Sequence, residues 1–530
     1  MKSKPKTDLI AASLLTMGMM GWLLTAAADP GAASDRKPSP PTEVEAEAPG
    51  DPADPGEGAD PTAADTAWQP AVDAKPLSTS ARRGLAWLVA HQQQDGGWGQ
   101  GEESSRMGGR GAGASTGLAP AIGSSIRLAP PTEPAPDQAV AGDHPELMES
   151  PSNVADTAMA ALALLRGAQE AELQTQAEPG PADRDVDAGD TEPSTLPNAG
   201  DTDSDAAVDP PALPEQVTEG EIDSWQQAVR RGARFICTHI EQADDESLAI
   251  TDLRGTRLQQ KIGAYVDTFV AALFLTEYRQ TLSGSDEDYE RVTDALEKVM
   301  AKIQAHQQED GSWAAGGWAG DLSLSIAGKA VNRAAQSGLT VAPEVLERVA
   351  ASGNADFDRA SGAFRVGRSA GIELYAASKS VAQLQDTANT FETERAELER
   401  AVAAPASEQD LQRAQDRLTV IEGNQSNLTE ARGEVVRRLR TDERFVAGFG
   451  TNGGEEFLSY MNLGESLVIA GGEAWEEWDR MITTRLTQAQ NRDGSWSGHH
   501  CITGRTFCTS AALLVLMVDR APVPVVATAD

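Results

Sequence analysis

The sequence predicts an all-α protein made of paired helices, and three recurrences in the text carry that prediction. Residues 90–98 read "AHQQQDGGW", residues 305–313 "AHQQEDGSW" and residues 489–496 "AQNRDGSW", so one short phrase recurs three times, far apart. Residues 82–91, "RRGLAWLVAH", match residues 230–239, "RRGARFICTH", in Arg-Arg-Gly, a large apolar pair and a closing His. Residues 153–165, "NVADTAMAALALL", match residues 265–275, "YVDTFVAALFL", in an Asp-Thr step followed by an Ala/Leu-rich run. The repeating unit is an amphipathic helix, a turn or insertion, then a more apolar helix rich in small residues.

Taken in order, the chain opens with Lys2, Lys4 and Lys6 ahead of a charge-free run over 9–28 that ends in Ala26-Ala27-Ala28. A basic start, an apolar stretch and an A-x-A site make an export signal. The run is also about long enough to span a bilayer as an uncleaved anchor. Either way the folded part is expected outside the cytoplasm, touching a membrane only through this segment, and disulfides are allowed there. Residues 29–79 read as an acidic, Pro/Ala-rich linker, with disordered insertions expected at about 99–152 and 170–223. Residues 29–79 and 170–223 together hold 23 of the 37 net negative charges. The acidity therefore sits largely in solvated segments, and so acidic a chain excludes a nucleic-acid partner.

The helical domain is expected over 80–520. Six helix pairs are predicted, at 80–92 with 153–166, 225–240 with 262–278, and 288–307 with 321–336. The others are 342–351 with 369–384, 427–441 with 453–470, and 473–490 with 505–519. Residues 385–426 read as an inserted helical hairpin with a coiled-coil-like seam, since Leu411 and Leu418, and likewise Ala414 and Ile421, stand seven apart. Pro405 breaks the run, and Ser407 with Asp410 suits a fresh helix start. The hairpin is either a solvated decoration or an arm for a partner. Residues 521–530 form a tail.

The recurring phrase ends helices. Gly96, Gly311 and Gly494 suit the left-handed conformation that closes a helix C-terminus. Trp98, Trp313 and Trp496 then lie where a ring can pack back over the helix end. Gln92, Gln307 and Gln490 offer amides to unpaired backbone groups nearby. The stretch "RGLAWLVAHQQQDGGW" resembles the full QW motif of the terpenoid-cyclase and protein-prenyltransferase superfamily, and the copies at 307–313 and 490–496 keep its second half. The resemblance covers the six helix pairs. It implies an α6/α6 toroid, with outer helices carrying structural QW phrases and inner helices lining a central cavity.

The resemblance also says which catalytic groups an enzyme of this kind would need, and this chain departs from each pattern. Squalene- and hopene-type cyclases protonate substrate with an Asp in a D-x-D-D run; no such run occurs here. Prenyltransferase β-subunits bind zinc through an Asp two residues before a Cys, but Phe235, His499 and Thr506 stand at those positions. Thioester domains carry C-G-E-Q, where this chain has "NGGEEF" at 452–457.

One stretch stands out, "GHHCITGRTFCTSAALLVLM" at 498–517. His91, His239 and His306 recur at one outer-helix register and read as structural, and His144 lies in an insertion. That leaves His499 and His500 beside Cys501, with Arg505 and Cys508 at the next helix start. Glu455 and Glu456 enter the neighbouring inner helix at its N-terminal end, where the two groups can converge. Three readings stand for the cluster: satisfied polar loop residues, a Cys501–Cys508 disulfide, or a metal ion held by His499 or His500 with Cys501 and a carboxylate. Asp156 and Asp267 are further cavity-lining candidates, though their first-turn position also suits helix capping.

Two functions are weighed. The first is an exported toroid that binds a small apolar molecule or a protein partner without catalysing a reaction. The second is an isoprenoid-processing enzyme with an atypical acid or metal near 455–456 and 499–508. A deep, aromatic-lined cavity with one desolvated carboxylic acid favours the enzyme, and a shallow or polar one favours binding. Aromatic residues make up only 5% of the chain, which weighs against a carbocation-stabilising pocket.

Overall fold

The computed structural model describes residues 68–101, 150–169 and 216–524, apart from 315 and 451. The export signal or anchor, most of the linker, His144 and most of both long insertions lie outside the described residues. Among those described there are fifteen α-helices and four strands of two or three residues, so the chain is all-α. No described helix is long and apolar enough to cross a membrane.

The predicted pairs are present. Helix α1 (Thr79–Ala90) goes with α2 (Val154–Ala168), and α3 (Glu219–Gln242) with α5 (Val266–Arg279), the short α4 (Arg257–Lys261) lying between them. Next come α6 (Tyr289–Ala305) with α7 (Gly320–Gln336) and α8 (Pro343–Ala355) with α9 (Glu373–Thr390). After α10 (Glu392–Ala403), α11 (Glu408–Thr441) and the short α12 (Glu443–Ala447), α13 (Gly454–Ala470) follows, and α14 (Gly472–Ala489) with α15 (Arg505–Leu516) closes the series. The first helix of each pair buries one face, as α3 does with Ile222, Trp225, Val229, Ile236 and Ile240 at helical spacing. The second is buried all round: every residue of α2 is inside. These inner helices pack in a closed order, α2 on α5, α5 on α7, α7 on α9, α9 on α13, α13 on α15, and α15 back on α2.

The QW phrases do what their residue types predict, and they also reach the next unit. Each indole Nε1–H donates 2.8 Å to a carbonyl ten residues back, Trp98 to Leu88, Trp313 to Ile303 and Trp496 to Leu486. Gly96, Gly311 and Gly494 have φ of +88°, +77° and +94°. A Cβ at these glycines would fall 2.7, 2.2 and 2.7 Å from the carbonyl oxygens of Arg231, Arg348 and Arg83, all on the following amphipathic helix. The glutamines cross the same seam: Gln92 donates to Ala228 O at 2.9 Å, Gln307 to Val345 O at 3.2 Å, and Gln490 to Ser80 O at 2.9 Å. The repeated Arg-Arg-Gly has a matching purpose. A Cβ on Gly84 would lie 2.7 Å from the Trp496 ring, and one on Gly232 would lie 3.1 Å from Trp98. His91 and His306 bond helix-end carbonyls through Nδ1 at 2.7 and 2.9 Å, the structural role expected of that register.

Four expectations are corrected. The linker does not extend to 79, because β1 (Trp68–Pro70) pairs antiparallel with β4 (Pro522–Pro524), so part of the expected tail is folded too. Trp68 anchors that ribbon, donating to Gln336 O at 3.2 Å beneath the Arg333 guanidinium. The second insertion ends before 223, since a Thr218–Glu221 capping box starts α3 at Glu219. The helical hairpin expected over 385–426 is there as α10 packed on the first part of α11, but its bounds differ: α9 runs on to Thr390, and α11 continues unbroken from its Ser407 cap into the fifth outer helix. Ala414 and Ile421 of the seam are buried as expected. A β2–β3 hairpin (Phe357–Asp358, Ala363–Phe364) was not anticipated.

Beside their shared apolar core, the inner helices are linked by buried charges in their C-terminal halves. Arg166 on α2 donates to both oxygens of Glu277 on α5, at 3.2 and 2.9 Å, and to Glu465 on α13 at 2.9 Å. Lys329 on α7 reaches Glu465 at 2.5 Å and Asp386 on α9 at 3.2 Å. Burial opposes charge on Glu465, but Lys329, Arg166 and Arg333 more than offset it and hold its carboxyl far below the usual range. Arg166–Glu465 and Lys329–Glu465 join helices that are not neighbours in the packing order.

Gly311→Ala should cost about 2 kcal/mol or more in urea unfolding, since it adds strain at positive φ to a backbone collision. Gly423→Ala, on an open face of α11, should instead gain up to about 1 kcal/mol.

Candidate functional site

The N-terminal ends of α7, α9, α13 and α15 meet at one end of the molecule, and two loops shape what they enclose. The glycine-rich segment 448–454 precedes α13, and segment 498–504 precedes α15. They are tied by His499 N donating to Asn452 O at 2.7 Å and Gly454 N donating to Ile502 O at 3.1 Å. A helix N-terminus attracts negative charge, and α13 begins with Glu455 and Glu456, both with no exposed surface. Glu456 Oε1 accepts from the Tyr375 hydroxyl at 2.5 Å and from Phe449 N at 2.9 Å. Its Oε2 faces His500 Nε2 at 3.3 Å. Glu455 Oε2 accepts from Ile502 N at 3.3 Å. The donor atoms of Glu455, Glu456 and His500 lie within 4.8 Å of one another, so these three could hold a metal ion.

The backbone here is shaped around those side chains. A Cβ on Gly450 would lie 2.7 Å from the His500 ring, and one on Gly453 would lie 2.6 Å from it. One on Gly448, at φ +57°, would lie 2.7 Å from Glu456 Oε1. Cys501 takes a φ of +51°, a left-handed value that a residue with a side chain rarely adopts. Aromatic rings continue outward. Phe449 is edge-on to His500 at 5.1 Å and to Trp318 at 5.3 Å, and Lys261 stands 5.5 Å over the Trp318 ring. Trp318 also lines an adjoining cavity of about 420 Å³, with Trp313, Leu324, Gln308, Ser312 and Arg368.

Burial pushes the Glu455 carboxyl up to about 7, with the Glu456 charge adding to the effect. Burial likewise lifts the Cys501 thiol to about 11, with Glu455 adding to it, so the thiol stays protonated at neutral pH. Burial lowers the His500 imidazole, against the pull of Glu456.

Of the residues named from sequence, the structure brings together Glu455, Glu456, His500 and Cys501. It separates His499, whose exposed side chain makes no part of the cluster, so the His499 ligand assignment is corrected. The chain bends through 499–501, leaving His499 exposed and His500 facing Glu456. Arg505 pairs with Asp493 at 2.6 Å, on the last QW turn. Cys501 and Cys508 are free thiols, the second donating to Ile502 O at 3.4 Å. Asp156 accepts from its own cap residue Asn153 at 2.7 Å. Asp267 caps a neighbour rather than its own helix, accepting from Ala155 N of α2 at 3.1 Å and from Gln259 Nε2 at 2.8 Å. Sequence reasoning missed Trp318, Tyr375, Phe449 and Lys261. Only the glycine cluster at 448–454 was a readable local sign.

Comparison of the chain with family models, with curated proteins and with solved structures found no match.

The raised Glu455 has a pH signature. Its folded value of about 7 exceeds the ordinary 4.5, so the neutral form's stabilisation is full below 4.5 and is lost as pH rises through 7. With chelator present, Glu455→Gln should gain on the parent by about 3 kcal/mol between pH 4.5 and 8 in urea unfolding.

Proposed function

We propose that the chain is an exported α6/α6 toroid, similar in architecture to terpenoid cyclases and prenyltransferases, that binds a small apolar molecule or a protein partner and does not cyclise or transfer isoprenoids. The closed packing order of α2, α5, α7, α9, α13 and α15 supports the ring, and so do the three QW turns, which fasten α1 to α3, α6 to α8 and α14 to α1. Export rests on the sequence of residues 1–28.

The observation that carries the binding reading is the buried ion-pair network in the C-terminal halves of the inner helices. In a ring, Arg166–Glu465 and Lys329–Glu465 run across the hole. A cyclase needs an apolar, aromatic-faced chamber there, large enough to fold a polyene around developing positive charge. Here that space holds a network of buried ion pairs, Arg166 and Lys329 with Glu277, Glu465 and Asp386, and so offers no continuous apolar or aromatic face to a polyene. The surface left for a ligand is the end occupied by Trp318, Phe449, Tyr375 and the adjoining cavity. A second reading, an acid–base enzyme working at that same end, is favoured by the desolvated Glu455 alone.

Incubated with squalene or with farnesyl diphosphate, the full chain should yield no cyclised, transferred or hydrolysed product above a protein-free blank by mass spectrometry. Any such product overturns the binding reading. The apolar probe anilinonaphthalene sulfonate should fluoresce with the parent, and Trp318→Ala should weaken its binding several-fold.

A further inference from the structure

We propose that Glu455, Glu456 and His500 form a binding site for one divalent transition-metal ion of the zinc class. The inference goes beyond the reading of a ligand-binding toroid and fails separately from it, since an ion needs only these three side chains.

Geometry is the first support. Zinc binds imidazole nitrogen and carboxylate oxygen at about 2.0–2.2 Å in a tetrahedron, which places two ligand atoms about 3.3–3.5 Å apart. His500 Nε2 and Glu456 Oε2 are already 3.3 Å apart, and the Glu455 donor lies within 4.8 Å of both. Small side-chain rotations bring the third ligand in and leave a fourth position open.

The second support is independent of the first. Glu455 Oε1, Glu456 Oε2 and both nitrogens of His500 are buried and make no hydrogen bond. Buried polar atoms are nearly always paired, and here the unpaired atoms of three residues converge. Each carboxylate is meanwhile fixed through its other oxygen, Glu456 by Tyr375 and Phe449 N, Glu455 by Ile502 N. Fixing one oxygen while sparing the other is how an outer shell orients metal ligands. Gly450 and Gly453 hold the imidazole by backbone contact on two sides, so its direction is set as well. The nearest cation bearing on Glu455 and His500 is Lys261, which is engaged over the Trp318 ring. A mixed nitrogen and oxygen donor set suits zinc, cobalt or iron better than calcium or magnesium.

Calorimetry with the full chain, freed of metal by chelation and titrated with zinc chloride, tests this. One equivalent should bind, and cobalt chloride should give the visible absorption of a four-coordinate ion. His500→Ala and Glu456→Gln should each weaken binding about tenfold or more, while His499→Ala leaves it unchanged. Circular dichroism checks that each variant folds, and Glu455→Gln replaces any that does not. Absence of saturable one-to-one binding tighter than about 100 μM overturns the proposal. Parent-like affinity in His500→Ala, or loss in His499→Ala alone, overturns it equally.

Discussion

The structure depends on docking each QW turn into the helix that begins the next unit. A buried tryptophan ring removes roughly 200 Å² from water, worth at most about 5 kcal/mol. Each hydrogen bond at the turn nets about 1 kcal/mol. The ring therefore supplies most of the free energy, and the bonds from Gln and indole decide where it sits. Both partners must be shaped for this: the turn by its positive-φ glycine, the receiving helix by Gly84 or Gly232 where the ring lands. A unit on its own would leave Trp98 or Trp496 without the glycine it packs on. The last turn meets the first helix, with Gln490 bonded to Ser80 across 410 positions, while the second, fourth and fifth pairs reach their successors without a QW turn.

That constraint explains why so much of the fold was legible. Helical periodicity and the phrase Gln-x3-Gly-x-Trp are local signals, and they placed most of the helix ends within a few residues. The misreadings came where tertiary contact overrode local signs. Pro405 and the Ser407 cap mark a real start, but nothing in the sequence marked that α11 would run unbroken to Thr441. The β1–β4 ribbon joins residues more than 450 apart and was invisible to a reading of neighbours. At the site, Glu455, Glu456 and His500 were legible because chemistry-bearing residues cluster at helix starts. Tyr375 and Trp318 were not, because they come from other units and look like ordinary core aromatics.

Charges inside the most apolar helices carry a different lesson. Buried ion pairs seldom add stability over apolar residues of the same volume, so Arg166, Lys329 and Glu465 are poorly explained as reinforcement. What they supply is direction. An apolar interior tolerates rotation of one helix against another, whereas Glu465 accepts from Arg166 and Lys329 only at one setting of α2, α7 and α13.

Two buried acidic clusters among the described residues differ in how their oxygens are bonded. In the interior, both oxygens of Glu277 and both of Glu465 are paired with cations. At the end ringed by Phe449 and Trp318, each of two equally buried glutamates keeps one oxygen without a hydrogen bond, and the histidine makes none either, its Nε2 facing Glu456 Oε2 at 3.3 Å. The backbone there is also costly, with Cys501 in a left-handed conformation and glycines pressed against the imidazole. A purely structural cluster gains nothing from holding unsatisfied groups in strained loops, since leaving one such group unpaired costs about 1–3 kcal/mol. Backbone strain and unbonded polar atoms of three converging residues coincide there, and that coincidence is what the proposed metal site would resolve.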